Sequence, residues 1–218
     1  FFAYIPFLAV HMPVQAPKEY TERYLETYKD GWTELRKQRQ ARTKELGIIP
    51  QDSQMVDMHT TDNWDDQSDE MKRYHAKRMA VYAGMVEAMD HNMGRLVAHL
   101  KSTDQYDNTV FIFTSDNGSE ASGTNNPTGA LSRWALARQD YNNEYDTLGE
   151  KGSFVNIGAS FASASASPLS FYKFFAGEGG LRVPLIISGK GVKTKDQYNN
   201  AFTYVTDIAP TILEISGA

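Results

Sequence analysis

The sequence predicts an α/β fold, a mostly parallel central sheet flanked by helices, from three observations. Val110–Thr114 is an unbroken run of β-branched and aromatic residues, the composition of a strand buried on both faces. A further β-branched run, Leu185-Ile-Ile-Ser188, follows Pro184. Ahead of the first run, from Ser68 to Lys101, apolar residues recur at three- and four-residue steps over a length that only a helix uses. Strand, long helix and strand in succession make a βαβ unit with a right-handed crossover.

Phe1 to Phe7 is apolar except for Pro6 and reads as the opening strand. Pro6, Pro13 and Pro17 then forbid regular pairing and put His11 on a rigid loop. Residues 17–47 read as a helical hairpin on the surface. Its two charged helices, Pro17–Tyr28 and Trp32–Leu46, divide near Asp30-Gly31, and Gly47 closes the second as a left-handed cap. Gln51–Gln67 is polar and acidic, a solvated loop in which Asp65-Asp66 brings negative charge to the N-terminus of the next helix.

Residues 68–118 form a helix-strand unit whose core stripe is Tyr82, Met85, Met89, Met93, Leu96 and Leu100. Residues 119–170 hold a helical pattern at Leu131–Tyr141 and a Ser/Ala-rich tract at Ala159–Ser167, and otherwise read as an irregular insertion, of a kind that is either a functional cover or partly disordered. Residues 171–218 carry Lys173, the Gly179-Gly180 pair, a strand and a final helix at Val205–Leu213.

Composition narrows the function classes. With 218 residues, 41% hydrophobic and 22% charged, the chain can bury one domain core. A net charge of −5 without a Lys/Arg cluster outside helices excludes an electrostatic footprint for nucleic acid. No apolar stretch approaches the roughly 18 residues of a spanning helix, so no membrane partner is expected. The absence of cysteine removes disulfide frameworks and thiolate metal sites, and leaves the compartment open.

The chemistry concentrates in three places. Asp116 and Asn117 follow the Val110–Thr114 strand and precede Gly118, at the lip where α/β sheets bind ligands. A carboxylate beside a carboxamide suits a hard cation, Ca²⁺ or Mg²⁺, although Asp-Asn-Gly is also ordinary turn chemistry. His11 lies on the proline-rich loop, and Lys173 lies five residues before Glu178-Gly-Gly. Glu178 and Arg182 read as a brace for that turn, and Lys151 as a surface lysine. The remaining histidines, 59, 75, 91 and 99, match no motif.

These segments resemble the sulfatases of the alkaline phosphatase superfamily, most closely the bacterial arylsulfatases. The motifs are Pro6-Phe-Leu-Ala-Val-His11-Met-Pro13-Val-Gln-Ala-Pro17, Thr114-Ser-Asp116-Asn117-Gly118 and Lys173-Phe-Phe-Ala-Gly-Glu178-Gly-Gly-Leu-Arg182-Val-Pro184. They occur in the family's order, and the resemblance spans nearly the whole chain. It implies a sulfuric ester hydrolase that cleaves sulfate monoesters with a formylglycine nucleophile and Ca²⁺, with Mg²⁺ as the alternative metal. Lys173 would bind sulfate oxygens, His11 would serve the bridging oxygen, and Asp116 and Asn117 would hold the metal. The implied partner is a small sulfate ester or a sulfated glycan. The resemblance favours a bacterial periplasm over cytoplasm and leaves the oligomeric state open.

The family's nucleophile lies in Cys/Ser-x-Pro-x-Arg. Here the residues two before the prolines are Tyr4, His11, Gln15, Ile48, Asn125, Ala166, Arg182 and Ile208, none of them Cys or Ser. The chain is therefore expected to be the central part of an incomplete catalytic domain, lacking the N-terminal nucleophile segment and the C-terminal subdomain, and inactive by itself. A phosphate or phosphonate monoester hydrolase of the same superfamily, and a noncatalytic module, are the alternatives.

Overall fold

Local sequence accounts for the helix boundaries. The computed structural model describes residues 1–121, 129–138, 140–193 and 197–217. Helix α1 (Lys18–Thr21) begins after Pro17, whose carbonyl accepts from Tyr20 N at 3.0 Å, and continues into a 3₁₀ turn, Glu22–Tyr24. Helix α2 (Gly31–Glu45) starts at a glycine with φ of 78°. A Cβ there would stand 2.1 Å from the Trp64 ring, so both backbone and packing require glycine. As the sequence predicts, Gly47 (φ 70°) closes α2; its N–H and that of Ile48 return to the Lys44 and Thr43 carbonyls at 3.0 and 2.9 Å.

Helix α3 (Asp69–Ser102) is capped by Ser68, whose hydroxyl accepts from Met71 N at 3.3 Å. Its first-turn acids are Asp69 and Glu70; Asp65 and Asp66 lie ahead of the cap, in the preceding turn. Strand β1 (Val110–Thr114), α4 (Ala130–Arg138), α5 (Gly158–Ala166), α6 (Glu178–Leu181), β2 (Leu185–Gly189) and α7 (Ile208–Ser216) follow. None of the helices, among the described residues, is long and apolar enough to cross a membrane.

The α/β class stands, but the strand pair in this chain is antiparallel, with Thr114 opposite Leu185 and Val110 opposite Gly189. An unbroken apolar run signals a strand suited to burial and carries no information about its direction. Burial differs too: β1 runs from half-buried to exposed, and β2 is exposed throughout. Phe1–Phe7 forms no strand and lies exposed, so the expected βαβ unit is not completed among the described residues.

The core is built where helices meet the loops. Trp32 is fully buried, edge-on to Trp64 and Phe161 at ring-centroid distances of 4.6 and 5.3 Å, and its indole N–H donates to Asp62 O at 2.8 Å. Burying side chains of this size stabilises by about 1.5–3 kcal/mol each. The Ser/Ala-rich tract is not irregular: it folds as α5 and lies buried against α2. Small side chains let the two backbones approach, and three of the tract's hydroxyls find partners, while the buried Ser165 Oγ finds none among the described residues. Ser160 Oγ accepts from Asp62 N at 2.9 Å, Thr61 donates to Ser163 at 3.0 Å, and Ser167 donates to Arg36 O at 3.0 Å.

The loop expected to be solvated likewise sends Met58 and Trp64 inward. Rather than forming a hairpin on the surface, α1 lies against α3 and α2 against α5. The buried side of α3 is centred on His75, Ala76, Met79, Ala80 and Val81; of the predicted stripe, Tyr82 to Leu96 are half-buried and only Leu100 is fully covered.

Beside this core sits a polar cluster. Arg78, fully buried, donates to Asn156 O and Oδ1 and lies 2.9 Å from His75 Nδ1. A guanidinium only donates, so His75 Nδ1 accepts and the ring is the neutral Nε2–H tautomer. Burial, reinforced by the Arg78 charge, pushes the His75 pKa down to about 3. Burial also lowers Arg78, to about 10.

Candidate functional site

Three segments distant in sequence build one polar cluster. The first is the loop leaving β1. Ser115 Oγ donates to Asn117 O at 2.8 Å, Gly118 N to Gly180 O at 3.0 Å, and Lys173 N to Ser119 O at 3.0 Å. The loop is thus pinned along the turn that holds Lys173. A Cβ on Gly118 would fall 1.9 Å from the Gly179 carbonyl oxygen, and one on Gly179 would fall 2.1 Å from the Phe171 carbonyl oxygen. Backbone packs on backbone here, which explains why glycine occupies both positions.

The second segment is the Lys173 turn. Phe171 and Phe174 have φ of 62° and 81°, a left-handed conformation that costs aromatic residues of order 1–3 kcal/mol each. Ring packing offsets part of this: Phe171 stacks on Phe175 at 4.7 Å, and the buried Tyr172 meets Phe175 edge-on at 5.1 Å. The strain brackets the one lysine that the motif singled out. Glu178 and Arg182 brace the turn through an ion pair at 3.4 Å.

The third is the proline-rich loop. Val14 N donates to Val155 O at 2.8 Å, Ala16 N to Gly149 O at 3.0 Å, and the Gln15 amide to Ser153 O at 3.0 Å. His11 Nδ1 lies 2.8 Å from Met12 O. A carbonyl can only accept, which assigns the proton to Nδ1 and leaves Nε2 as the nitrogen that gains or loses one.

His11 and Lys173 meet. Lys173 Nζ is 3.2 Å from His11 Nε2, and Glu120 Oε2 lies 2.5 Å from Nζ and 3.5 Å from Nε2. Glu120 escaped the sequence reading, which stopped at Gly118; an acid two residues past that glycine was the available signal. Asp116 and Asn117 occupy the same loop, Asp116 exposed and Asn117 half-buried. Among the described residues, no hydrogen bond or ion pair joins their side chains to His11 or Lys173, and no three His, Asp or Glu side chains are arranged to hold a metal. Their oxygens are the hard donors that Ca²⁺ or Mg²⁺ prefers, two of the six to eight that Ca²⁺ takes. A groove of ≈ 380 Å³ lies elsewhere, between Gln15–Lys18 and Gly149–Lys151, and includes none of these groups.

Comparison with known proteins places this geometry in context. A family model described as Sulfatase matches residues 1–218. The chain is 40% identical over 218 residues to an uncharacterized sulfatase of Schizosaccharomyces pombe, covering 99% of this chain and 39% of that protein. It is 35% identical over 217 residues to an arylsulfatase of Klebsiella aerogenes, covering 99% of this chain and 46% of that protein. Arylsulfatase K of Canis lupus familiaris is 25% identical over 175 residues, 78% of this chain and 24% of that protein. The chain thus spans less than half the length of the curated relatives it matches.

Proposed function

The chain belongs to the sulfatase family, and from that premise we propose that its His11–Lys173–Glu120 cluster serves the hydrolysis of sulfate monoesters in a longer protein. The observation that carries the reading is the approach of Lys173 Nζ to 3.2 Å from His11 Nε2, from segments that share no secondary structure.

Cleaving the ester S–O bond builds negative charge on the departing alcohol oxygen. Lys173, 20% exposed, sets a positive charge at the sulfate oxygens from a partly dry position, where it is worth more than in water. His11, 45% exposed, reaches outward. With Nδ1–H tied to the Met12 carbonyl, the protonated ring would deliver its Nε2 proton to the leaving oxygen and return to the neutral form. Asp116 and Asn117 would hold Ca²⁺, or Mg²⁺ in its place, and such a cation supplies Lewis-acid stabilisation of charge on the sulfate. The attacking oxygen would come from a formylglycine outside this chain, which contains no cysteine. On this reading the 218 residues alone are inactive, and the substrate is a small sulfate ester or a sulfated glycan.

The test is turnover of 4-nitrophenyl sulfate by a longer protein that carries this segment, with Ca²⁺ present. Loss of that turnover is expected in Lys173→Ala, and loss of phenyl sulfate turnover in His11→Ala. Hydrolysis of phosphate esters but no sulfate ester would sink the reading.

A further inference from the structure

Resting on the sulfatase reading, we infer that Glu120 is a specificity-determining residue: its carboxylate pins the Lys173 ammonium and lowers the charge of the anion-facing cluster, favouring a singly charged ester over a doubly charged one. Three distances define the arrangement: Oε2 to Lys173 Nζ, 2.5 Å; Oε2 to His11 Nε2, 3.5 Å; and Nζ to Nε2, 3.2 Å. Side-chain exposure rises from 9% at Glu120 to 20% at Lys173 and 45% at His11. The carboxylate is therefore the most deeply set of the three, and the two nitrogens are nearer solvent.

The backbone leading into Glu120 is fixed to the Lys173 turn, because the neighbouring Ser119 carbonyl accepts from Lys173 N and Gly118 N donates to Gly180 O. An ammonium has three donors; Oε2 and Nε2 face two, which leaves the third for an incoming anion. Glu120 acts through Lys173 and His11 and is a positioning residue.

Charge supplies the selectivity. A sulfate monoester carries one negative charge, whereas a phosphate monoester carries about −1.5 to −2 at neutral pH. Counting only these three side chains, the formal charge is zero with His11 neutral and +1 with His11 protonated. Without the carboxylate it would be +1 or +2. Any anion seated on Nζ comes within a few ångströms of Oε2, in a site too dry for full screening, and a doubly charged anion is repelled about twice as strongly.

The test uses the 218-residue chain with ¹⁵N-labelled histidine and no divalent metal. It is titrated with phenyl sulfate and, separately, phenyl phosphate at about pH 8, above the second phosphate pKa of about 6. Affinities are read from the His11 imidazole resonances. In Glu120→Gln, affinity for phenyl phosphate relative to phenyl sulfate is expected to rise on the order of tenfold. Glu120→Asp, which withdraws the carboxylate by one methylene, should give an intermediate rise.

An unchanged ratio in a folded Glu120→Gln chain overturns the inference, as does a His11 signal that responds to neither ester. Should circular dichroism show Glu120→Gln unfolded, Glu120→Asp decides by the same criterion. The parent reading is tested apart from this: tighter binding of phenyl phosphate by the unmodified chain argues against sulfate as substrate, while a ratio that still rises in Glu120→Gln upholds the role of Glu120.

Discussion

His11 Nε2 and Lys173 Nζ come within 3.2 Å although 162 positions separate them. Neither residue belongs to a helix or strand. Each is held by backbone hydrogen bonds of its loop to another loop, so the pair depends on loop-to-loop packing more than on the sheet.

The leaving group separates the roles of the two residues. In a sulfatase carrying this segment, Lys173→Ala should lower kcat on the order of 10²- to 10³-fold for any aryl sulfate, because it removes charge stabilisation at the sulfate. His11→Ala should cost about 10²- to 10⁴-fold with phenyl sulfate and much less with 4-nitrophenyl sulfate, whose alcohol departs without a proton. Equal losses with both esters in His11→Ala would rule out proton donation.

Gly118→Ala tests the loop packing. A Cβ 1.9 Å from the Gly179 carbonyl oxygen meets backbone, which cannot rotate away. A loss of about 1–3 kcal/mol in urea unfolding is expected. The His11 imidazole resonances should shift in the same variant, since the displaced turn carries Lys173. Wild-type stability would mean that the two loops do not pack as described.

His75 makes stability depend on pH. Its folded pKa, about 3, lies below the ordinary 6.5, so between these values the unfolded chain binds a proton that the folded chain refuses. The contribution is complete above about pH 6.5 and is lost as pH falls toward about 3, with a limiting slope of about 1.4 kcal/mol per pH unit. Comparing urea unfolding at about pH 7 and pH 5, His75→Gln should reduce the acid-side loss by on the order of 2 kcal/mol. An unchanged pH dependence would place His75 in contact with water.

Phe161→Ala probes the buried α5. Its ring is fully covered and meets Trp32, Trp64 and Tyr28 edge-on. A cost of about 3–5 kcal/mol is expected from lost transfer energy and the cavity left behind. A change below about 0.5 kcal/mol is the behaviour of a surface residue and would contradict the core placement of the Ser/Ala-rich tract.

Ser68→Ala removes the α3 cap and should cost about 1 kcal/mol in the same assay. The expected loss is small because α3 also gains stability from its packed N-terminal half.

Local chemistry was legible in the chain itself: the Gly47 cap, the long helix after Ser68, the β1 run and the loop character of His11 each follow from residues within a few positions of one another. Such features arise from backbone preference and side-chain periodicity, which act over a turn or two. Strand direction, the burial of α5 and the seat of Glu120 were settled by folding. Each depends on contacts between segments that composition cannot pair: Leu185 with Thr114, small serines with α2, and one carboxylate oxygen beneath a lysine and a histidine from two other loops.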